Sequence, residues 1–246
     1  KCFASGDQNC SSKISKEHFI SESLLKQIQL NKTAKIAGLK KKKKESYNIV
    51  PLTGLASNIL CERHNNALSP LDACIGSFAK KIGEFDDSFK ELATLTSEEH
   101  TFCGLDIERW MVKCLLGLKA SKNIDQANLK PECINLLFAK IEWPLDWGLY
   151  FSAIPKQPIY HSGSFLIETQ TDPSKDLVRA VKFAIRGIPF MLCLGKPNNP
   201  ESLGIFHPEA IVFRYNKFEK KLKLDWLNSK KGEVIFIDRI GSYDGP

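Results

Sequence analysis

From Asp106 onward, Ile107, Trp110, Met111, Cys114, Leu115 and Leu118 recur at three- and four-residue steps, the period of an amphipathic helix. The residues between them, Glu108, Arg109 and Lys113, form its expected polar face. Pro131 is placed to open a second helix through Ile134, Leu137 and Phe138, and Pro144 marks its end. Beyond Leu145 the period shortens. Val181, Phe183 and Ile185 alternate with Lys182 and Arg186, and Leu222, Leu224 and Trp226 alternate with Lys223 and Asp225, as half-buried strands do. Gly187 and Pro189 separate the first of these from an apolar run at 190–194, and residues 211–215 and 234–240 supply further strands.

The first third is patterned differently. Residues 2–18 are rich in Ser, Gly, Asp and Asn, which predicts turns and a short irregular hairpin. Ser21 or Ser23 can cap a short helix through Leu24, Leu25 and Ile28, followed by a polar, lysine-rich loop to about Tyr47. Ser69-Pro70-Leu71-Asp72 reads as a helix start, with Ser at the cap, Pro at the first helical position and an acid in the first turn, and the helix should run to about Ile82. Residues 84–100 are acidic and lack a clear period. The pattern therefore predicts an α+β chain in three parts, at 1–85, 86–144 and a β-rich 145–246.

A chain of 246 residues can bury a core, and its 43% hydrophobic and 26% charged residues exclude collagen-like, coiled-coil and low-complexity classes. No apolar run is long enough to span a bilayer, and the Lys1-Cys2-Phe3 start lacks the apolar core of a signal peptide, so no membrane partner and a cytoplasmic location are expected. The formal charge is +7, to which the run Lys40, Lys41, Lys42, Lys43 and Lys44 contributes five charges, so the basicity is local. Such a run suits phosphate contact, and it also suits a solvated loop. Of the eight cysteines, Cys74, Cys103, Cys114, Cys133 and Cys193 lie in apolar or helical patterns and read as small buried hydrophobes.

The other three cysteines call for chemistry. Cys61-Glu62-Arg63-His64 has the two-residue gap that lets two ligands share one tetrahedral metal from a single turn, which is half a zinc site. Its expected partners are Cys2 and Cys10, giving a closed structural Cys3His site for Zn²⁺, although the two are separated by seven residues and also read as incidental thiols.

Between these halves the order is Glu17-His18, then Asn58, then Asn65-Asn66. In that order, and in the segment Asn58-Ile59-Leu60-Cys61-Glu62-Arg63-His64-Asn65-Asn66-Ala67-Leu68-Ser69-Pro70-Leu71-Asp72, the chain resembles the HNH endonuclease family, and within it the zinc-braced members. The resemblance covers about residues 2–82. His64 stands where the usual pattern has a second Cys, Asn65 where it has a final His, and Cys10 lies unusually far from Cys2.

The resemblance implies a ββα-metal module that hydrolyses phosphodiester bonds, with DNA as the expected substrate and phage defence as a frequent setting. By the same resemblance Glu17 and Asn65 would hold one catalytic Mg²⁺ or Mn²⁺, with Asn66 able to exchange with Asn65, His18 would be the general base and Asn58 would orient it. Asp72 would share a face with Asn65 if one helix ran through both, and it reads otherwise as a capping acid. Arg63 and the lysine run would contact backbone phosphates. Two alternatives stand beside the nuclease: a zinc-stabilised nucleic-acid-binding module without cleavage, and a subunit whose activity is licensed by a regulatory protein partner.

Overall fold

The computed structural model describes residues 1–39, 48–89, 96–124, 128–151, 164–172, 174–227 and 232–238, so the lysine run at 40–44 lies outside the described residues. The chain is α+β. A 3-10 turn over Phe3–Asp7 leads to β1 (Ile14–His18), α1 (Glu22–Ile28), β2 (Thr33–Ala37), β3 (Asn48–Pro51) and β4 (Ala56–Cys61). Helix α2 (Glu62–Ser88) follows β4 without a break, and then come β5 (Glu98–Cys103), α3 (Gly104–Ala120) and α4 (Glu132–Leu137). Strands make up most of the rest: β6 (Gly148–Phe151), β7 (Ser164–Asp172), β8 (Leu177–Ile185), β9 (Ile188–Cys193), β10 (Ile205–Phe206), β11 (Ala210–Tyr215), β12 (Phe218–Asp225) and β13 (Val234–Asp238). No helix among the described residues is long and apolar enough to cross a membrane.

β1 and β4 pair antiparallel as a two-stranded sheet, seven strands run in the order β10-β6-β9-β8-β7-β2-β3, and four in the order β13-β11-β12-β5. The expected loop before Tyr47 therefore contains sheet. Ala34 and Ile36 are buried while Lys35 is exposed, and β2 lies parallel to β7 with Ile36 opposite Phe165. The described ends of the aperiodic stretch at 84–100 also carry structure: α2 continues to Ser88, and β5 pairs parallel with β12 at the sheet edge. Between β8 and β9, Arg186 and Gly187 both take positive φ, the two-residue turn whose twist suits a hairpin.

Helix α2 begins at Glu62, with Cys61 at its N-cap, so Ser69-Pro70 sits inside the helix rather than at its start. Proline has no N–H to give the carbonyl of Asn66, and the Ser69 hydroxyl donates to that carbonyl instead, at 2.9 Å. The apolar stripe of Leu71, Ile75, Phe78, Ile82 and Phe85 is buried. Phe78 packs edge-on to Phe102 of β5 and against Phe190 of β9, so α2 touches both larger sheets. Trp110 of α3 packs on Phe165 and Phe183 of the seven-stranded sheet. One core cluster takes residues from 1–85, 86–144 and 145–246 alike.

Two of the three residues of the polar face expected on α3 do not face water. Glu108 is 0% and Lys113 3% exposed. Each is paired with residues remote in sequence: Glu108 accepts from the Leu149 main-chain N–H and the His207 ring, and Lys113 reaches Glu17 and Asp72. Enclosure of α3 on both sides makes such pairing necessary, because an unpaired buried charge is costly.

Candidate functional site

The Cys and His residues singled out by spacing come together. Cys2 precedes the first 3-10 turn, Cys10 lies on the polar segment before β1, Cys61 ends β4, and His64 sits in the first turn of α2. Their ligand atoms all lie within 4.8 Å of one another. His64 Nδ1 is 3.4 Å from Cys2 Sγ, 3.7 Å from Cys10 Sγ and 3.3 Å from Cys61 Sγ. Tetrahedral zinc, with Zn–S near 2.3 Å and Zn–N near 2.0 Å, places sulfur and nitrogen about 3.5 Å apart. The four side chains therefore fit a structural zinc. Cys2, Cys61 and His64 are buried, and Cys10 is exposed.

A second layer holds the histidine. His64 Nε2 lies 3.1 Å from Asp7 Oδ2, and with a metal on Nδ1 the Nε2–H would donate to that carboxylate. Asp7 Oδ1 pairs with Lys140 Nζ at 2.5 Å, tying the cluster to the segment after α4. Desolvation pushes the Cys61 thiol up, but main-chain hydrogen bonds around His64 and Ser11 outweigh it and bring the thiol down to about 6. Cys10 is pushed up to about 11, by desolvation and by its proximity to Cys2 and Cys61, because neighbouring sulfurs resist shared ionisation without a cation. Sequence reasoning brought together the four side chains of this cluster and missed Asp7 and Lys140, since a carboxylate 57 residues from its histidine leaves no local trace.

His18 ends β1 opposite Ala56, with its side chain 26% exposed and Nδ1 4.0 Å from Glu22. Burial lowers its pKa below the ordinary value, while Glu22 and the main chain at Leu52 oppose that shift. The β1–β4 register shifts between Ser15 and Glu17, so that Asn58 and Ile59 together oppose Lys16. Asn58 is thus exposed on a β-bulge, a feature that re-aims side chains. Asn65 Nδ2 donates to Ser15 Oγ at 3.2 Å on β1, and Arg63 is exposed. Glu22 also lines an open groove of about 510 Å³ between α1 and α2, with Ser23, Lys26, Ser77 and Lys80 on its walls.

Glu17 lies on the opposite side of β1 from His18. It is 5% exposed and its carboxylate contacts Lys113 Nζ at 2.5 Å. Burial raises its pKa, Lys113 opposes that, and Asp72 adds to it. Asp72 does not cap α2. It takes the same ammonium at 2.5 Å and accepts from Ser21, which in turn accepts the Trp110 indole N–H at 2.6 Å. Ser21 precedes α1 but makes no cap hydrogen bond, because its hydroxyl serves this network. Asn65 and Asp72 do share one helix, as their spacing allowed, yet Asn65 turns to Ser15 and Asp72 to Lys113. In comparisons with protein families, curated proteins and solved structures, the chain matches none.

Proposed function

We propose that this chain is an HNH-type endonuclease that hydrolyses phosphodiester bonds in DNA, with His18 as general base and a zinc-bound Cys3His cluster as its brace. The observation that carries the reading is the setting of His18. It ends a strand that pairs antiparallel with β4, helix α2 follows β4 directly, and burial lowers the pKa of the half-buried ring, which favours the neutral imidazole. A neutral ring can take a proton from water at pH 7. Asn58, exposed on its bulge, is available to a phosphate or to the attacking water. The α1–α2 groove beside Glu22 offers Lys26 and Lys80 to a nucleic-acid backbone. Zinc would act at a distance, fastening the N-terminal loop to the β4–α2 junction that carries these groups.

The catalytic Mg²⁺ expected on Glu17 and Asn65 does not fit these side chains as a pair. The Asn65 amide donates to Ser15, and the Glu17 carboxylate is buried and already holds an ammonium. That engagement favours a second reading, a zinc-braced nucleic-acid-binding module that does not cleave.

A plasmid nicking assay separates the two readings. The wild type is expected to nick with Mg²⁺ or Mn²⁺ and not with EDTA, and His18→Ala to lower the rate by about 10²- to 10⁴-fold, the range typical of a lost general base. Nicking that survives His18→Ala would overturn the assignment of the base. DNA retention on a gel without nicking under any condition would favour the second reading.

A further inference from the structure

Lys113 brings a positive charge from α3 to the acid that precedes the proposed base. Its side chain is 4% exposed, and Nζ lies 2.5 Å from Glu17 of β1 and 2.5 Å from Asp72 of α2. Two carboxylates from different elements thus converge on one point, close enough to be bridged by a single ion, and an ammonium occupies it. The surrounding hydrogen bonds hold the arrangement: Ser21 donates to the Asp72 carboxylate, the Trp110 indole to Ser21, and the Ser23 hydroxyl to the Asp72 carbonyl. A divalent ion at Mg–O distances of about 2.1 Å would have to expel the ammonium, and α3 is enclosed where that side chain lies.

We propose that Lys113 is the resident cation of this acidic pair, so that Glu17 and Asp72 bind no divalent metal while it is present, and its removal exposes a two-carboxylate cation site. The inference extends the reading of the His18 region as a nuclease centre, and it separates that centre from any metal bound through Glu17. It also explains why a buried lysine joins β1, α2 and α3.

The test is Mn²⁺ titration of the zinc-loaded full chain, followed by the loss of the free-ion electron paramagnetic resonance signal. Wild type and Glu17→Gln are expected to bind Mn²⁺ equally, within twofold. Lys113→Met should gain one site at least tenfold tighter than any in the wild type, lost again when Glu17→Gln is added. A wild-type site weakened tenfold or more by Glu17→Gln would overturn the proposal, as would a folded Lys113→Met that gains nothing. If circular dichroism and zinc content show that Lys113→Met does not fold, the wild type and Glu17→Gln decide the matter between them. Absence of plasmid nicking would count against the nuclease reading and leave these titrations untouched.

Discussion

Replacing Asp7 with Asn tests whether the metal cluster depends on more than its four ligands. Asp7 Oδ2 lies 3.1 Å from His64 Nε2 and Oδ1 forms an ion pair with Lys140 at 2.5 Å, with the side chain 10% exposed. Asn keeps the shape but removes the charge that fixes the histidine tautomer and anchors Lys140. Loss of such an outer partner costs about 10- to 100-fold in metal affinity, or roughly 1.4–2.7 kcal/mol. Zinc binding is linked to folding, so at fixed free zinc above saturation the same energy appears as lost stability. For a chain of this size that corresponds to a fall in Tm of about 3–10 °C. The assay is competition for Zn²⁺ with a chromogenic chelator, read beside a thermal melt, for Asp7→Asn, Cys10→Ser and wild type. Zinc affinity within threefold of wild type for Asp7→Asn, in a protein where Cys10→Ser weakens zinc strongly, would refute the role given to Asp7.

Two further predictions concern proton and backbone. Burial holds the folded-state pKa of His18 below its ordinary value, and a general base works deprotonated, so nicking should be level above pH 7 and fall only as the medium acidifies through that lowered pKa. A rate still climbing between pH 7 and 9 would remove His18 from that role. Gly148 sits at φ +134, and a Cβ there would come within 2.5 Å of His207 Nε2 and 2.6 Å of Glu108 Oε1. Gly148→Ala should therefore destabilise by about 2–3 kcal/mol in urea unfolding, and a change below about 0.5 kcal/mol would contradict the packing around Glu108.

Local spacing was enough to identify Cys61 and His64 as a ligand pair, because one helical turn sets their separation whatever lies around it. The apolar period of α3 and the alternation of β8 and β12 were legible for the same reason: each records a repeat within a single element. The ordered set of Glu17, His18, Asn58 and Asn65 also falls on a strand, a second strand and the helix that follows it. What could not be read was partnership across the chain. Glu108 and Lys113 have the composition of a solvent face, and only the packing of α3 against α2 and the strands turns that face inward, where Lys113 meets an acid 41 residues away. Ala34 and Ile36 form too short an alternation to announce a strand until β7 supplies the neighbouring backbone. The helix start predicted at Ser69 failed because a serine and a proline have the same signature at a cap as in a helix that repairs its missing hydrogen bond. Glu17 is the sharpest case. Its place beside His18 is a matter of sequence, but whether its carboxylate meets a metal or an ammonium is decided by a lysine that only the tertiary fold brings to it.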